Sequence, residues 1–171
     1  RGTIDPFPDP VIRFADEKVP TPSGRVEIAS AAAEANGHPR VPQPDADARP
    51  QSGQLRLLSP ASEWLMNDSY GNDANVLSKL GPACIYLNPE DAKILELKEG
   101  MMAVVSSQTG EIELRVRCSD IVARGVALSN KGRWPKLDEA ATNVNVLNSG
   151  EPSDMGESSS VHGTLVRITA A

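Results

Sequence analysis

The segment Glu111–Cys118 constrains the fold more than any other part of the chain. In its sequence, EIELRVRC, apolar side chains two residues apart alternate with charged ones. Such alternation is typical of a β-strand with one buried face and one solvent-exposed face. Thr109 and Gly110 come directly before it, and they follow the apolar stretch Met101–Ser107. The two stretches are therefore predicted to pair as a β-hairpin.

Short apolar stretches bounded by Gly, Pro and Asn recur along the chain. Four more of them are predicted to be strands: Leu55–Ser59, Cys84–Leu87, Gly125–Ser129 and Leu165–Thr169. Asn88 followed by Pro89 is a typical helix start, and Gly100 is expected to end the short helix region that follows. Many short strands with few helices predict a mainly β fold, a barrel with small helical inserts.

The composition changes near residue 54. Residues 1–54 are rich in proline, and within them only Val26–Ser30 resembles a strand. Proline cannot donate to a strand ladder, so Asn36–Gln54 is interpreted as an exposed linker that makes few buried contacts. We expect two parts: residues 1–54 form an irregular segment and proline-rich linker, the tail of a preceding domain, and residues 55–171 form the barrel domain.

Charge and composition exclude several functional classes. Lys and Arg total 17 against 23 Asp and Glu, a net charge of −6, and nucleic-acid binding and anionic membranes both favour a basic surface. No apolar run approaches the roughly 20 residues that a membrane span needs. The chain begins at Arg1, so we expect a piece of a longer protein whose signal region lies upstream. A cytoplasmic location is the leading expectation, and the periplasm is the alternative.

A self-contained active site is not predicted. Cys84 and Cys118 lack the spacing of a zinc or iron–sulfur motif and are interpreted as packing residues, so no metal ligand and no catalytic residue is assigned. Four loops are instead rich in small polar side chains: residues 59–72, 132–135, 143–148 and 161–164. Asn, Ser and Thr form turns, but they also match the polar edge of a heterocycle or a pyrophosphate. For any one of these loops turn formation is the favoured explanation, but for all four in one barrel a polar ligand is at least as good an explanation.

Six fragments, in order, resemble the last domain of molybdopterin oxidoreductases of the dimethyl sulfoxide reductase superfamily. They are Pro20–Ile28; Leu57–Pro60 through Asn67–Asn72; Ile85–Ala92 with Leu97–Gly100, Val104–Ser106 and Gly110; Gly125–Val126 with Gly132–Trp134; Asn143–Leu147; and Asp154–Gly156. The resemblance implies a double-psi six-stranded β-barrel that closes over a bis(molybdopterin guanine dinucleotide) cofactor carrying molybdenum or tungsten. It also implies that the cofactor is shared with the rest of the enzyme, so this chain alone is not catalytic. The implied partners are the preceding domains and an electron-transfer subunit.

The resemblance also assigns cofactor contacts. The residues implied are Ser59, Asn67, Asp68, Ser69, Asn88, Asn143, Asn145 and His162. Ser59 and the segment 67–69 would approach a pterin, and Asn145 would contact polar cofactor atoms. His162 occupies a position where related sequences often have a lysine. Five of them are predicted to converge on one polar concavity: Ser59, Asn67, Ser69, Asn145 and His162.

Several alternatives remain open at the level of sequence. Capping of the helix at Pro89 explains Asn88 as well as nucleotide contact does. Trp64 and Trp134 either pack beside the cofactor or fill the core, and the core is favoured because Trp is usually buried. The alternative function is a non-catalytic double-psi barrel that acts as a subunit-docking or interaction module.

Overall fold

The computed structural model describes residues 12, 14–44, 49–138, 141–153 and 156–171. The described residues up to 44 form one compact unit, and those from 49 onward form another. The first unit contains one short helix, α1 (Ala31–Ala35), whose N-terminus is capped by the Ser30 side chain. Val26–Ser30 is not a strand, so that expectation was wrong. Every described residue of the predicted linker is exposed or half-exposed.

The second unit is built on six strands. They are β1 (Leu55–Leu58), β2 (Cys84–Leu87), β3 (Met102–Ser106), β4 (Glu111–Cys118), β5 (Val126–Leu128) and β6 (Leu165–Ala170). They close into a barrel in the order β1-β5-β2-β4-β3-β6. The predicted mainly β barrel with short helices is confirmed.

Two strand pairs of the barrel are parallel, and the other neighbours are antiparallel. Leu57 of β1 pairs with Ala127 of β5, and Ile85 of β2 pairs with Val116 of β4, both in parallel register. The predicted hairpin is present, with Val105 of β3 opposite Ile112 of β4. This topology is consistent with the double-psi arrangement.

The core lies inside the barrel. The alternation seen in β4 sends its apolar side chains inward and leaves Glu111, Glu113 and Arg117 exposed. The inward side chains of all six strands form one buried cluster, in which Ile85 and Val116 have no solvent exposure. Burial of this kind stabilises the fold by about 25 cal/mol for each Å² of apolar surface removed from water.

Two helices connect β1, β2 and β3. Helix α2 (Ala74–Leu80), which the sequence reasoning missed, is capped by the Asp73 carboxylate. Helix α3 (Pro89–Ile94) begins where predicted, and the Asn88 side chain accepts a hydrogen bond from the Glu90 amide. The buried Asp91 carboxylate accepts from the Gly125 amide at 2.7 Å, which attaches α3 to the start of β5.

Strand directions bring four loops to one end of the barrel. The segments after β1 and β5 lie together because those strands are parallel. The segment before β6 and the β3–β4 turn join them, because β6 runs antiparallel to both β1 and β3. The predicted polar loops therefore share one end of the barrel, although they are far apart in sequence.

Close packing at this end requires glycine at two positions. Gly132 has φ +98°, and a β-carbon there would collide with the carbonyl oxygen of Asn67. A β-carbon on Gly71 would lie 2.7 Å from the indole of Trp134. That indole donates a hydrogen bond to the Asp68 carbonyl at 2.6 Å. The loops after β1 and β5 are therefore in direct contact, and a larger side chain at either glycine would separate them.

Glu99 attaches the segment after α3 to the end of β4. Its carboxylate accepts from the Cys118 amide and from the Arg117 guanidinium, each at 2.7 Å. These hydrogen bonds, the amide one first, hold the pKa of Glu99 below its ordinary value. Burial raises the pKa of the neighbouring Cys118 thiol.

Among the described residues, no helix combines the length and the apolar character that crossing a bilayer requires.

We predict that Gly132→Ala lowers the free energy of unfolding by at least about 2 kcal/mol, because backbone strain and a steric clash add together. Gly100→Ala is the matched control, since Gly100 has φ +82° but open space around it. It should lose only about 1–2 kcal/mol from strain. Urea denaturation of both variants measures the difference. Equal losses of unfolding free energy in the two variants would show that the Asn67 carbonyl does not restrict which side chain fits at residue 132.

The lowered pKa of Glu99 makes its contribution to stability dependent on pH. Because the unfolded carboxyl binds its proton more readily, the contribution is complete above the ordinary pKa of 4.5 and disappears as the pH falls through the lowered value. Glu99→Gln should therefore be less stable than the wild type at pH 7 and should approach it in acid. Glu113→Gln, on the exposed face of β4, is the control. A Glu99→Gln deficit that stays constant down to pH 3 would contradict the prediction.

Candidate functional site

A cleft of about 690 Å³ opens at the end of the barrel where the loops meet. We call it the amide cleft because three asparagines line it. Its lining residues are Asn67, Asp68, Lys131, Gly132, Arg133, Trp134, Pro135, Lys136, Asn143 and Asn145. They come from the loop after β1, the loop after β5 and a 3-10 helix, Val144–Leu147, with its cap. Four of the predicted site residues thus line one concavity.

Three of these predicted residues offer unengaged polar groups to the cleft. The side chains of Asn67, Asp68 and Asn145 are exposed, and none forms a hydrogen bond with another described residue. Asn67 has φ +56°, a conformation that Asn tolerates better than most residues. Two amides and a carboxylate supply both donors and acceptors to a ligand.

Asn143 and Arg133 hold the cleft walls together. The Asn143 side chain accepts from the Asn145 amide at 3.0 Å and donates to the Arg133 carbonyl at 2.9 Å. The Arg133 guanidinium pairs with Asp138 at 2.9 Å and donates to the carbonyls of Leu80 and Gly81. Both side chains are therefore committed to the protein itself.

The cleft is locally basic in an acidic protein. Lys131, Arg133 and Lys136 line it, and Asp68 is the one carboxylate among its lining residues. Because Asp138 neutralises Arg133, the two lysines carry the excess positive charge. Neither lysine forms an ion pair with a described residue. An anionic ligand fits this charge distribution.

Ser59 and His162 lie next to the amide cleft. Ser59 is buried at the end of β1, and its amide donates to the Nδ1 atom of His162 at 3.3 Å. This bond makes Nδ1 the acceptor, so neutral His162 carries its proton on Nε2. Ser59 lines a small cavity of about 20 Å³ that shares Lys131 and Asn145 with the amide cleft.

The remaining two predicted residues do not line the cleft. Ser69 is exposed in the loop after β1, where its amide donates to the Met66 carbonyl. Asn88 caps α3 and donates to the Val122 carbonyl at 2.9 Å. It follows β2, which runs antiparallel to β5, so it lies at the opposite end of the barrel from the cleft. Helix capping is the role that the structure shows for Asn88.

The two tryptophans are not in the core. Trp134 is 37% exposed and forms part of the cleft wall, and Trp64 is 40% exposed with the Lys79 ammonium 4.3 Å from its ring centroid. The expectation that they fill the core was wrong. The barrel interior is filled by aliphatic side chains, and both tryptophans lie in loops outside it.

Cysteine and carboxylate side chains do not form a metal site in the described part of the chain. No group of three or more His, Cys, Asp or Glu residues there could hold a metal ion. Cys84 and Cys118 are both free thiols, the first buried and the second half-buried against the core.

Sequence reasoning missed the basic wall of the cleft. Lys131, Arg133 and Lys136 fall within six residues of an otherwise acidic chain, directly after β5. That local cluster of cations is the signal that could have identified them.

Comparison with curated proteins gives several distant relatives. The chain is 27% identical over 107 residues to dimethyl sulfoxide reductase DmsA of Haemophilus influenzae, covering 60% of this chain and 13% of that protein. It is 23% identical to the probable oxidoreductase YoaE of Bacillus subtilis, covering 88% and 22%. It is 24% identical to trimethylamine-N-oxide reductase 1 of Escherichia coli O157:H7, covering 89% and 20%. The chain spans less than a quarter of each relative.

Comparison with solved structures supports the fold. Acetylene hydratase from Pelobacter acetylenicus superposes with a TM-score of 0.78 at 19% identity, over 90% of this chain and 24% of that one. Residues 55–165 match the family model described as Molydopterin dinucleotide binding domain. The matched range contains the barrel up to the start of β6 and every residue that lines the amide cleft. The chain therefore belongs to the Molydopterin dinucleotide binding domain family and is a molybdopterin-binding β-barrel.

Proposed function

We propose that the amide cleft binds the guanine form of the molybdopterin dinucleotide, as one part of a larger molybdenum or tungsten oxidoreductase. The observation that carries this proposal is the convergence of unengaged amides, a carboxylate and two lysines on one cleft. The preceding domains of the same enzyme complete the cofactor shell. When bound, the cofactor supplies the metal redox chemistry, and this chain binds and orients it.

The polar groups of the cleft match the ring edges of such a ligand. Pterin and guanine both present a ring N–H beside an exocyclic amino group, and a carboxylate such as Asp68 can accept from both. The amides of Asn67 and Asn145 can pair with ring nitrogens and carbonyl oxygens. Each such group left unpaired on burial costs about 1–3 kcal/mol, so several matched partners are needed together.

Ser59 and His162 extend the proposed site beyond the cleft. The bond from the Ser59 amide fixes the His162 ring and directs its Nε2 proton away from β1. In our proposal that N–H donates to a polar atom of the ligand, in place of the lysine common in related sequences.

Exposed apolar side chains in the loops that form the cleft, which we call the apolar rim, suit a large partner surface. Trp64, Met66, Tyr70 and Leu137 are 40–67% exposed, and all lie in the loops after β1 and β5. We propose that the preceding domains pack on this rim and enclose the ligand. The second candidate function is a docking module without cofactor. It would use the same apolar rim, but it would give the unengaged polar groups of the amide cleft no role.

The test is the cofactor content of the complete enzyme that carries this chain. Acid hydrolysis should release GMP in proportion to molybdenum or tungsten. Asn145→Ala should lower pterin occupancy, with affinity falling roughly tenfold for one lost hydrogen-bond partner. His162→Ala should do the same, and neither should alter the unfolding transition.

Asn75→Ala is the matched control, since Asn75 is an exposed amide that does not line the cleft. Release of CMP would overturn the guanine assignment. Full loading of both Asn145→Ala and His162→Ala would overturn the cleft assignment, and an enzyme without pterin would leave the docking module as the function.

A further inference from the structure

We infer that Lys131 supplies the ammonium that pairs with the diphosphate of the bound dinucleotide. The inference rests on the proposed function and assigns one charged contact within it. Lys131 is neither in the set of residues that the sequence predicted nor part of a recognised motif in this chain.

The backbone holds Lys131 in a fixed place. Parallel pairing of β5 with β1 continues beyond the strands, because the Ser129 amide donates to the Leu58 carbonyl and the Lys131 amide donates to the Pro60 carbonyl, each at 3.0 Å. The Asn130 side chain adds a bond to the Ala61 carbonyl at 3.1 Å. Lys131 thus sits on an extension of the barrel wall, where its position does not depend on its side chain.

Lys131 lies where the two cavities adjoin. Of the described residues, it and Asn145 are the two that line both the amide cleft and the small cavity beside Ser59. An ammonium and an amide at one point supply several N–H donors to phosphate oxygens.

The other cations of the cleft are less suited to this role. The Arg133 guanidinium is occupied by Asp138 and two carbonyl oxygens. Lys136 is exposed, whereas Lys131 is half-buried. Solvent and salt screen an exposed charge more strongly, so the charge of Lys131 acts on the ligand with less attenuation.

The choice of diphosphate follows from the ligand's own chemistry. The phosphates carry its ionised oxygens at neutral pH, and a lysine ammonium is a compact point charge that binds phosphate without a fixed planar geometry. The ring edges are neutral, and the amides and Asp68 match them. The dithiolene sulfurs are the other anionic group, and the experiment separates the two.

The experiment measures cofactor release from the loaded enzyme that carries this chain. Pterin released on dilution is followed by its fluorescence after oxidation, at low and high salt. Lys131→Met should release pterin about tenfold faster than the wild type at low salt, the size of one lost charged contact. The difference should shrink at high salt, and Lys131→Arg should restore retention.

Lys93→Met is the matched control, since Lys93 is an exposed lysine of α3 that does not line the cleft, and it should change release by less than twofold. The metal midpoint potential is measured in parallel, because a cation beside the dithiolene would shift it and one beside the diphosphate would leave it near the wild-type value. Equal release from wild type and Lys131→Met, or a shifted potential with unchanged release, would overturn the inference and leave the proposed function intact. A wild-type enzyme without pterin would overturn both.

Discussion

Parallel pairing between β1 and β5 determines where the residues that line the amide cleft lie. Two parallel strands end at the same side of a sheet, so the chain leaves both at one end of the barrel. The loops that follow touch through the Gly132 and Asn67 backbones and through the hydrogen bond from Trp134 to Asp68. The cleft, with its amide and charged side chains, results from this pairing.

Charged side chains at the site differ in whether other residues of the protein engage them. Arg133 donates hydrogen bonds to Asp138 and to backbone carbonyls, and these bonds hold the loop after β5 against the end of α2. Lys131 and Lys136 keep their ammonium groups free of ion pairs with described residues. This division explains how a chain with a net charge of −6 can present a basic cleft to an anionic ligand. The total charge describes the whole chain and did not reveal this local balance.

Local sequence patterns predicted most of the fold, whereas most of the site depends on contacts between residues that are distant in sequence. All six strands were predictable because alternation and turn residues are read within ten residues of sequence, and the cap at Asn88 is equally local. The amide cleft was predictable only in part. Asn67, Asp68, Asn143 and Asn145 were identified through resemblance, whereas Lys131 becomes visible once β5 is placed beside β1. Asp154 and Met155, which contributed to one resembling fragment, lie outside the described residues.

The tryptophans show why burial could not be assigned from residue type. The large apolar ring of Trp favours burial in the core, yet aliphatic side chains already fill the interior of the closed barrel. Trp134 instead lies across Gly71, where its ring supports the cleft wall and its N–H still finds an acceptor. The pairing of a small residue with a large one across two loops is a tertiary feature, and neither loop alone indicates it.

Barrel closure has a consequence for how this domain can change over time. Each of the six strands has a neighbour on both sides, whereas a strand at the border of an open sheet exposes backbone groups that can recruit another chain. Substitutions and insertions in the end loops therefore do not expose a new strand border to self-association. The loops around the cleft can therefore change in sequence and length while every strand of the barrel keeps both of its neighbours.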